Sequence, residues 1–211
     1  MSLLKEIQRL TENTYRCYLE INLEDFLIGR KRFYQLAELT SSRDKQLSNL
    51  ARVFFRFSSD NLLLALYYSE SLIQILEEFD PRRGLNENNI IAFIIFLEEL
   101  SHAVHISLRF REGLLSLRNE NLIRDLELQA KVDAYLILEF FLGYFKGSRR
   151  LELLDKIWLR SHLFNNDEAV FDDTVLKERY REVNIFGEKF VCFLDNLEPA
   201  KRLAQIRHFR E

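Results

Sequence analysis

The chain has 211 residues, of which 47% are hydrophobic and 30% are charged, and its formal net charge is −3. It contains 6 Gly, 2 Pro and 2 Cys, which argues against a β-sandwich or barrel, a low-complexity chain and a disulfide scaffold. The slightly acidic balance and the shortness of its basic clusters also argue against nucleic-acid binding.

Apolar residues recur at helical spacing along the first part of the chain, so helices are the predicted elements there. The first is expected over residues 3–21, with Ser2 as its N-cap, and a short one over 31–39. Residues 41–44 have the form of a capping box, and Leu47, Leu50, Phe54 and Phe57 follow at helical spacing. A further helix is predicted over 60–79, ended by Asp80-Pro81.

The second part of the chain reads in the same way. Helices are predicted over 88–117, 120–145, 149–164, from about 174 to 194, and 199–209. Gly187 falls on the apolar face of its helix, which indicates close packing of a neighbour. The prediction is one all-α domain spanning 1–211, a bundle of roughly seven to nine helices, with a subdivision near 80–89 as the alternative.

The predicted helix over 88–117 carries apolar residues on all sides of its first turns. Phe93 and Leu97 share one stripe, whereas Ile94 and Phe96 lie on other sides. A helix that is apolar all round is buried, so we expect this one to be central in the bundle.

Four ionisable residues follow in the same helix: Glu98, Glu99, His102 and His105. All but Glu99 share one flank with Arg109. Because an unpaired buried charge is costly, these side chains are solvated, paired in a buried network, or bound to a metal or other ligand. The pattern leaves all three interpretations open.

A polar pair, Gln129 and Asp133, interrupts the apolar face of the predicted helix over 120–145. A carboxylate at that position needs a partner. We expect an interhelical bridge from Asp133 to a His or Arg, or a contact with one of the two histidines of the preceding helix, which it would orient. Glu127 and Lys131 are predicted to be an ordinary exposed pair at positions i and i+4.

Imidazole and carboxylate groups are suited to a divalent metal. The candidate ligands are Glu99, His102, His105 and Asp133, and the surrounding polar network is predicted to contain Glu98, Gln129, Arg109 and Glu70. Glu99-Leu-Ser-His102 resembles half of the di-iron signature of ferritin-like bundles, which carry two Glu-x-x-His motifs. The chain has no second copy, so the resemblance does not extend to a complete di-iron centre.

Other catalytic signatures are missing from the sequence. It has no His-Glu-x-x-His, no phosphate-binding loop, no dinucleotide-binding glycine pattern and no nucleophile elbow. Nucleotide hydrolysis and dinucleotide redox chemistry are therefore not expected, and the sequence favours a binding protein over an enzyme.

Two functional hypotheses follow. The leading one is a cytoplasmic helical binding or scaffold protein that acts through protein–protein contacts or self-association, favoured by a surplus of aromatic residues, 18 Phe and 8 Tyr. The alternative is a metal- or ligand-binding bundle, with enzymatic activity left open, whose site lies between the 88–117 and 120–145 helices. A cytoplasmic location is expected because the thiols lie in apolar surroundings and the N-terminus lacks a signal-peptide pattern. No membrane span is expected, since the longest apolar run, residues 90–97, is far shorter than the roughly 20 residues that a bilayer requires.

Overall fold

A computed structural model describes residues 2–40, 47–58, 61–113, 120–148, 150–165 and 171–210. Helices make up 70% of the structure, which confirms the predicted helical bundle and adds one small two-stranded sheet. In the described residues the helices are α1 (Leu3–Tyr15), α2 (Arg30–Glu38), α3 (Glu70–Glu78), α4 (Ile90–Arg111), α5 (Glu120–Phe145), α6 (Leu153–Phe164), α7 (Thr174–Asp195) and α8 (Pro199–Arg210). The strands are β1 (Ala51–Ser58) and β2 (Asn61–Tyr68), and short 3-10 helices cover Leu23–Phe26 and Pro81–Arg83.

Helix α1 begins as predicted and ends earlier than predicted. The hydroxyl of Ser2 accepts a hydrogen bond from the Lys5 amide at 3.2 Å, which is an N-cap. The helix stops at Tyr15 because Arg16 adopts a left-handed backbone conformation with φ 54°. Side chains of α1 then hold the following loop: the Gln8 side chain accepts from the Leu23 amide at 3.0 Å.

The largest difference from prediction is the antiparallel hairpin of β1 and β2, which replaces two predicted helical stretches. Its register pairs Ala51 with Tyr68 and Ser58 with Asn61. The predicted helix over 60–79 is therefore wrong in its first half, and only α3 remains helical. The predicted capping box at 41–44 lies outside the described residues.

The polar–apolar alternation of this hairpin is incomplete, because Phe54 and Tyr67 are packed on the face that points away from α4. On one face, Tyr68 stacks on Phe96 of α4 with ring centroids 4.7 Å apart. On the other face, Phe33 of α2 stacks on Tyr67 at 4.2 Å. Alternation of polar and apolar residues is expected when one face of a sheet meets water. A hairpin with aromatic residues packed on both faces therefore lacks the regular pattern of a half-exposed strand.

Helix α4 is central, as predicted. It packs against α1, α3, β1, β2, α5 and α6, and no residue from 92 to 108 is exposed. It is shorter than the predicted 88–117: it ends at Arg111, and residues 114–117 lie outside the described part of the chain. A helix in contact with neighbours on every side has no solvent face, which explains its apolar composition.

Helix α4 is also long and apolar enough to cross a membrane by length and composition alone. Of its most apolar stretch, 72% is buried inside the protein, and core helices of soluble proteins pass the same test. The absence of a membrane span therefore stays a prediction.

One hydrophobic cluster extends from α1 to α8 and includes residues on both sides of the loop near 80–89, among them Leu76 and Ile90. The Asn89 side chain closes this loop by donating to the carbonyl oxygens of Phe79 at 3.0 Å and Gly84 at 2.7 Å. The division of the chain into one or two domains stays a prediction.

Gly187 of α7 lies where close packing was predicted. A Cβ atom at this position would lie 2.7 Å from a ring carbon of Phe164 and 3.4 Å from a methyl group of Leu128. Since real Cβ contacts are longer than the first of these distances, a larger residue at position 187 would require the Phe164 ring to shift.

Candidate functional site

A pocket of about 590 Å³ lies where β1 meets α4, α5 and α7, and we call it the β1–α4 pocket. Its walls are mainly apolar and aromatic, and ionisable side chains converge at one part of it. It is lined by Arg52, Val53, Phe54 and Phe55 of β1, Ile95, Glu98, Glu99, His102 and Ile106 of α4, Ile123, Leu126 and Glu127 of α5, Arg179 and Tyr180 of α7, and Thr40, Leu47, Ser48 and Phe171.

Glu99 lines this pocket and forms a hydrogen bond with the sheet. Its carboxylate accepts a hydrogen bond of 2.7 Å from the backbone N–H of Val53 in β1. Burial raises the pKa of Glu99 to about 7, although the charge of His102 and the Val53 amide act in the opposite direction. Glu99 can therefore take up or release a proton near neutral pH.

His102 lies one turn further along α4 and pairs with α5. Its Nε2 atom is 3.3 Å from a carboxylate oxygen of Glu127. Burial acts to lower the pKa of His102, but Glu127, Glu99 and Glu98 outweigh it and raise that pKa to about 9. The imidazole is thus a cation at neutral pH.

Glu127 also connects the pair to α7. It accepts a hydrogen bond of 3.1 Å from the phenol of Tyr180. Burial acts to raise the pKa of Glu127, but His102 and Tyr180 outweigh it and keep that pKa below its ordinary value. Glu127 is therefore a carboxylate at neutral pH, and the pocket contains a partly buried ion pair with a phenol beside it.

The predicted exposed pair of Glu127 and Lys131 is wrong. Lys131 is 3% exposed, and its ammonium lies 3.0 Å from Glu98 and donates to the Leu163 carbonyl at 3.0 Å. The two side chains of α5 thus bind different partners on α4, α6 and α7. The i, i+4 spacing could not reveal this, because α5 is covered by helices on more than one side.

Asp133 forms a second, fully buried cluster in the interior. Its carboxylate accepts hydrogen bonds from the Tyr15 hydroxyl of α1 and, at 2.6 Å, from the Ser101 hydroxyl of α4. The Nε2 atom of His105 lies 2.7 Å from the same carboxylate, and both residues are 2% exposed. The predicted interhelical bridge from Asp133 to a histidine is confirmed, and its partner is His105.

The four predicted metal ligands therefore separate into two groups. Glu99 and His102 line the β1–α4 pocket, whereas His105 and Asp133 lie in the interior with Tyr15 and Ser101. Among the described residues, no three His, Cys, Asp or Glu side chains are placed so that they could hold a metal ion. Asp133 already accepts from three neighbours, which makes it a structural carboxylate.

The other predicted members of the polar network are dispersed. Glu98 joins the pocket, and Gln129 is buried with no hydrogen-bond partner for its Nε2 atom in the described part of the chain. Arg109 lies in the last turn of α4 and does not line the pocket. Glu70 is exposed in the first turn of α3, where its charge acts on Arg30 and Tyr67, and it does not line the pocket.

Several contributors to the two sites were not predicted from the sequence. Arg179 and Tyr180 reach the pocket from α7, and Tyr15 reaches Asp133 from α1. The signal that could have identified Arg179 and Tyr15 is their position on the apolar faces of their helices, because a polar group there needs a buried partner. The Val53 amide could not have been identified, since the hairpin itself was not predicted.

No known protein family, curated protein or solved structure matches this chain. The pocket and the surfaces around it are therefore the features from which a function can be proposed.

Proposed function

We propose that the protein is a binding protein whose ligand occupies the β1–α4 pocket. The observation that carries this proposal is the combination of a volume of about 590 Å³, largely apolar walls and a convergent group of partly buried ionisable side chains. Ligand sites are concave, of roughly 300–1,000 Å³, and lined by apolar groups with a few placed polar ones.

The electrostatics of the pocket support this proposal. Two of its groups have raised pKa values, Glu99 with a pKa of about 7 and His102 with a pKa of about 9. Ionisable groups in a cleft whose pKa values are strongly shifted are candidates for a functional site. The expected ligand has an apolar body and a polar group that hydrogen-bonds to Glu99.

Filling the pocket should weaken binding. We expect Ile123→Trp, which places an indole between β1 and α5, to weaken the binding of the apolar fluorescent probe anilinonaphthalene sulfonate by about tenfold or more. The matched control is Phe186→Trp, which adds the same ring at an exposed position of α7 and should bind the probe like the wild type. Probe fluorescence titrated to saturation is the measurement. Absence of saturable binding by the wild type, or equal binding by Ile123→Trp, contradicts the proposal.

A second candidate function is contact with another protein through apolar side chains at the turn between α5 and α6. Tyr144 is 73% exposed, Leu153 68% and Leu154 74%. Neighbouring exposed apolar groups of this size are typical of interaction surfaces. These side chains favour self-association, one form of the leading hypothesis from the sequence.

Self-association through this surface should be removed by charge. We expect the wild type to sediment as a dimer or larger species at micromolar concentration, and the double variant Leu153→Glu, Leu154→Glu to sediment as a monomer. Leu39→Glu, which alters an exposed leucine at the end of α2, is the control and should keep the assembly state. A monomeric wild type rules this function out.

A further inference from the structure

We infer that the ligand of the β1–α4 pocket is an extended polypeptide segment that adds to the sheet along the outer edge of β1. This inference rests on the proposed function and names its partner class. It follows from the hydrogen-bonding directions of the hairpin, from the position of the pocket along that edge, and from the cover on the opposite edge.

The register decides which backbone groups of β1 face outward. Ser58 pairs with Asn61 at one end of the hairpin, and at the other end the Ser69 amide donates to the Leu50 carbonyl at 2.7 Å. Because hydrogen-bonded pairs alternate along an antiparallel ladder, the even-numbered residues of β1 exchange hydrogen bonds with β2. The odd-numbered residues, Val53 and Phe55 among them, direct their N–H and C=O groups away from β2. The bond from the Val53 amide to Glu99 shows this direction.

The two edges of the hairpin differ. On the outer edge of β2, the Ile28 amide donates to the Leu66 carbonyl at 2.9 Å, and Leu27 forms a bridge with Leu66. Within the described ranges, β1 pairs with β2 alone. The outer edge of β1 can therefore pair with another strand. Proteins either protect such an edge or use it for binding.

The pocket runs along this edge. Four consecutive residues of β1, 52–55, line it, a length of about 13 Å for an extended chain. A segment paired with the carbonyl of Val53 and with both backbone groups of Phe55 would place alternate side chains over the pocket. An apolar side chain there would meet Ile95 and Ile123. Strand addition supplies affinity through the main chain and selectivity through such a pocket.

A randomised library of linear peptides displayed on phage tests the inference against the full-length protein. We expect enrichment of peptides whose binding falls by about tenfold or more in Phe55→Pro, which removes an outward N–H, and by much less in Phe55→Ala, which removes the same ring. An enriched peptide should also displace anilinonaphthalene sulfonate from the pocket.

A second measurement does not depend on folding of the proline variant. N-methylation of alternate amides in an enriched peptide should abolish binding, whereas methylation of the intervening amides should leave it intact, because only one set faces β1. Three results would overturn the inference. They are equal effects of the two sets of methylated amides, no enrichment of peptides on the wild type relative to Phe55→Pro, and a crystal structure in which a segment of the same chain occupies this edge. If the probe still binds the pocket in those cases, the ligand is a small molecule and the proposed function stands.

Discussion

Replacing Asp133 with alanine is expected to lower the free energy of unfolding by about 3–5 kcal/mol, because it removes the shared acceptor of a buried hydrogen-bond network. The Asp133 carboxylate joins α5 to α4 through Ser101 and His105 and to α1 through Tyr15. Its removal leaves two hydroxyl groups and an imidazole in the interior without their acceptor, and each unsatisfied group adds its own desolvation cost.

Urea unfolding followed by circular dichroism measures this loss. Asp125→Ala makes the same change at an exposed position of α5 and should alter stability by no more than about 0.5 kcal/mol. If Asp133→Ala does not fold, Asp133→Asn keeps one acceptor oxygen and should show an intermediate loss. A cost below about 1 kcal/mol for Asp133→Ala would mean that water or a rearranged side chain replaces the carboxylate.

The second large effect is a fall in stability as the pH rises from about 5 to 9. The folded state holds protons more tightly than the unfolded state at both Glu99, whose pKa is raised from 4.5 to about 7, and His102, whose pKa is raised from 6.5 to about 9. Stability decreases with pH wherever the folded state binds more protons. The contribution of each group is therefore complete below its unfolded pKa and is lost as the pH passes through its folded pKa.

The two groups act in successive pH windows. Glu99 lowers stability between about pH 4.5 and 7, and His102 between about pH 6.5 and 9. We expect a total loss on the order of 3 kcal/mol between pH 6 and 9. Glu127, whose pKa is lowered, has the opposite effect, since its contribution is lost only as the pH falls below 4.5.

Variants separate these contributions. His102→Gln should flatten the difference between pH 7 and 9, and Glu99→Gln should flatten it between pH 5 and 7, each measured by urea unfolding at several pH values. Gln205→Ala, at an exposed position of α8 with no titratable group, is the control and should keep the slope of the wild type. An unchanged slope in His102→Gln would show that the imidazole of the folded state titrates near its ordinary pKa.

The helical part of the fold could be predicted because the helices have long apolar stripes. The position of α4 at the centre followed from apolar residues on all its sides, and the burial of Gln129 and Asp133 followed from their place on the apolar face of α5. The requirement that a buried carboxylate find a partner then led from Asp133 to a histidine of the neighbouring helix, which is His105.

The candidate site was only half predictable. Glu99 and His102 are on one helix, so their proximity follows from spacing, but their partners come from elements far away in sequence. Val53 reaches Glu99 from a hairpin whose two packed faces hid its strand pattern, and Tyr180 approaches Glu127 from α7. Contacts of this kind depend on how helices cross, and the side-chain pattern of a single helix does not by itself determine its partner or its crossing angle.

The enclosure of α4 also limits how this sequence can vary. Most helices tolerate substitution along a side that faces water, whereas from residue 92 to residue 108 every side chain of α4 is at least partly covered by a neighbour. A change of volume on any of its sides requires a matching change in α1, the hairpin, α5 or α6. Homologues of this protein should therefore differ in α4 through paired, compensating substitutions, and differ singly and freely in an exposed helix such as α2.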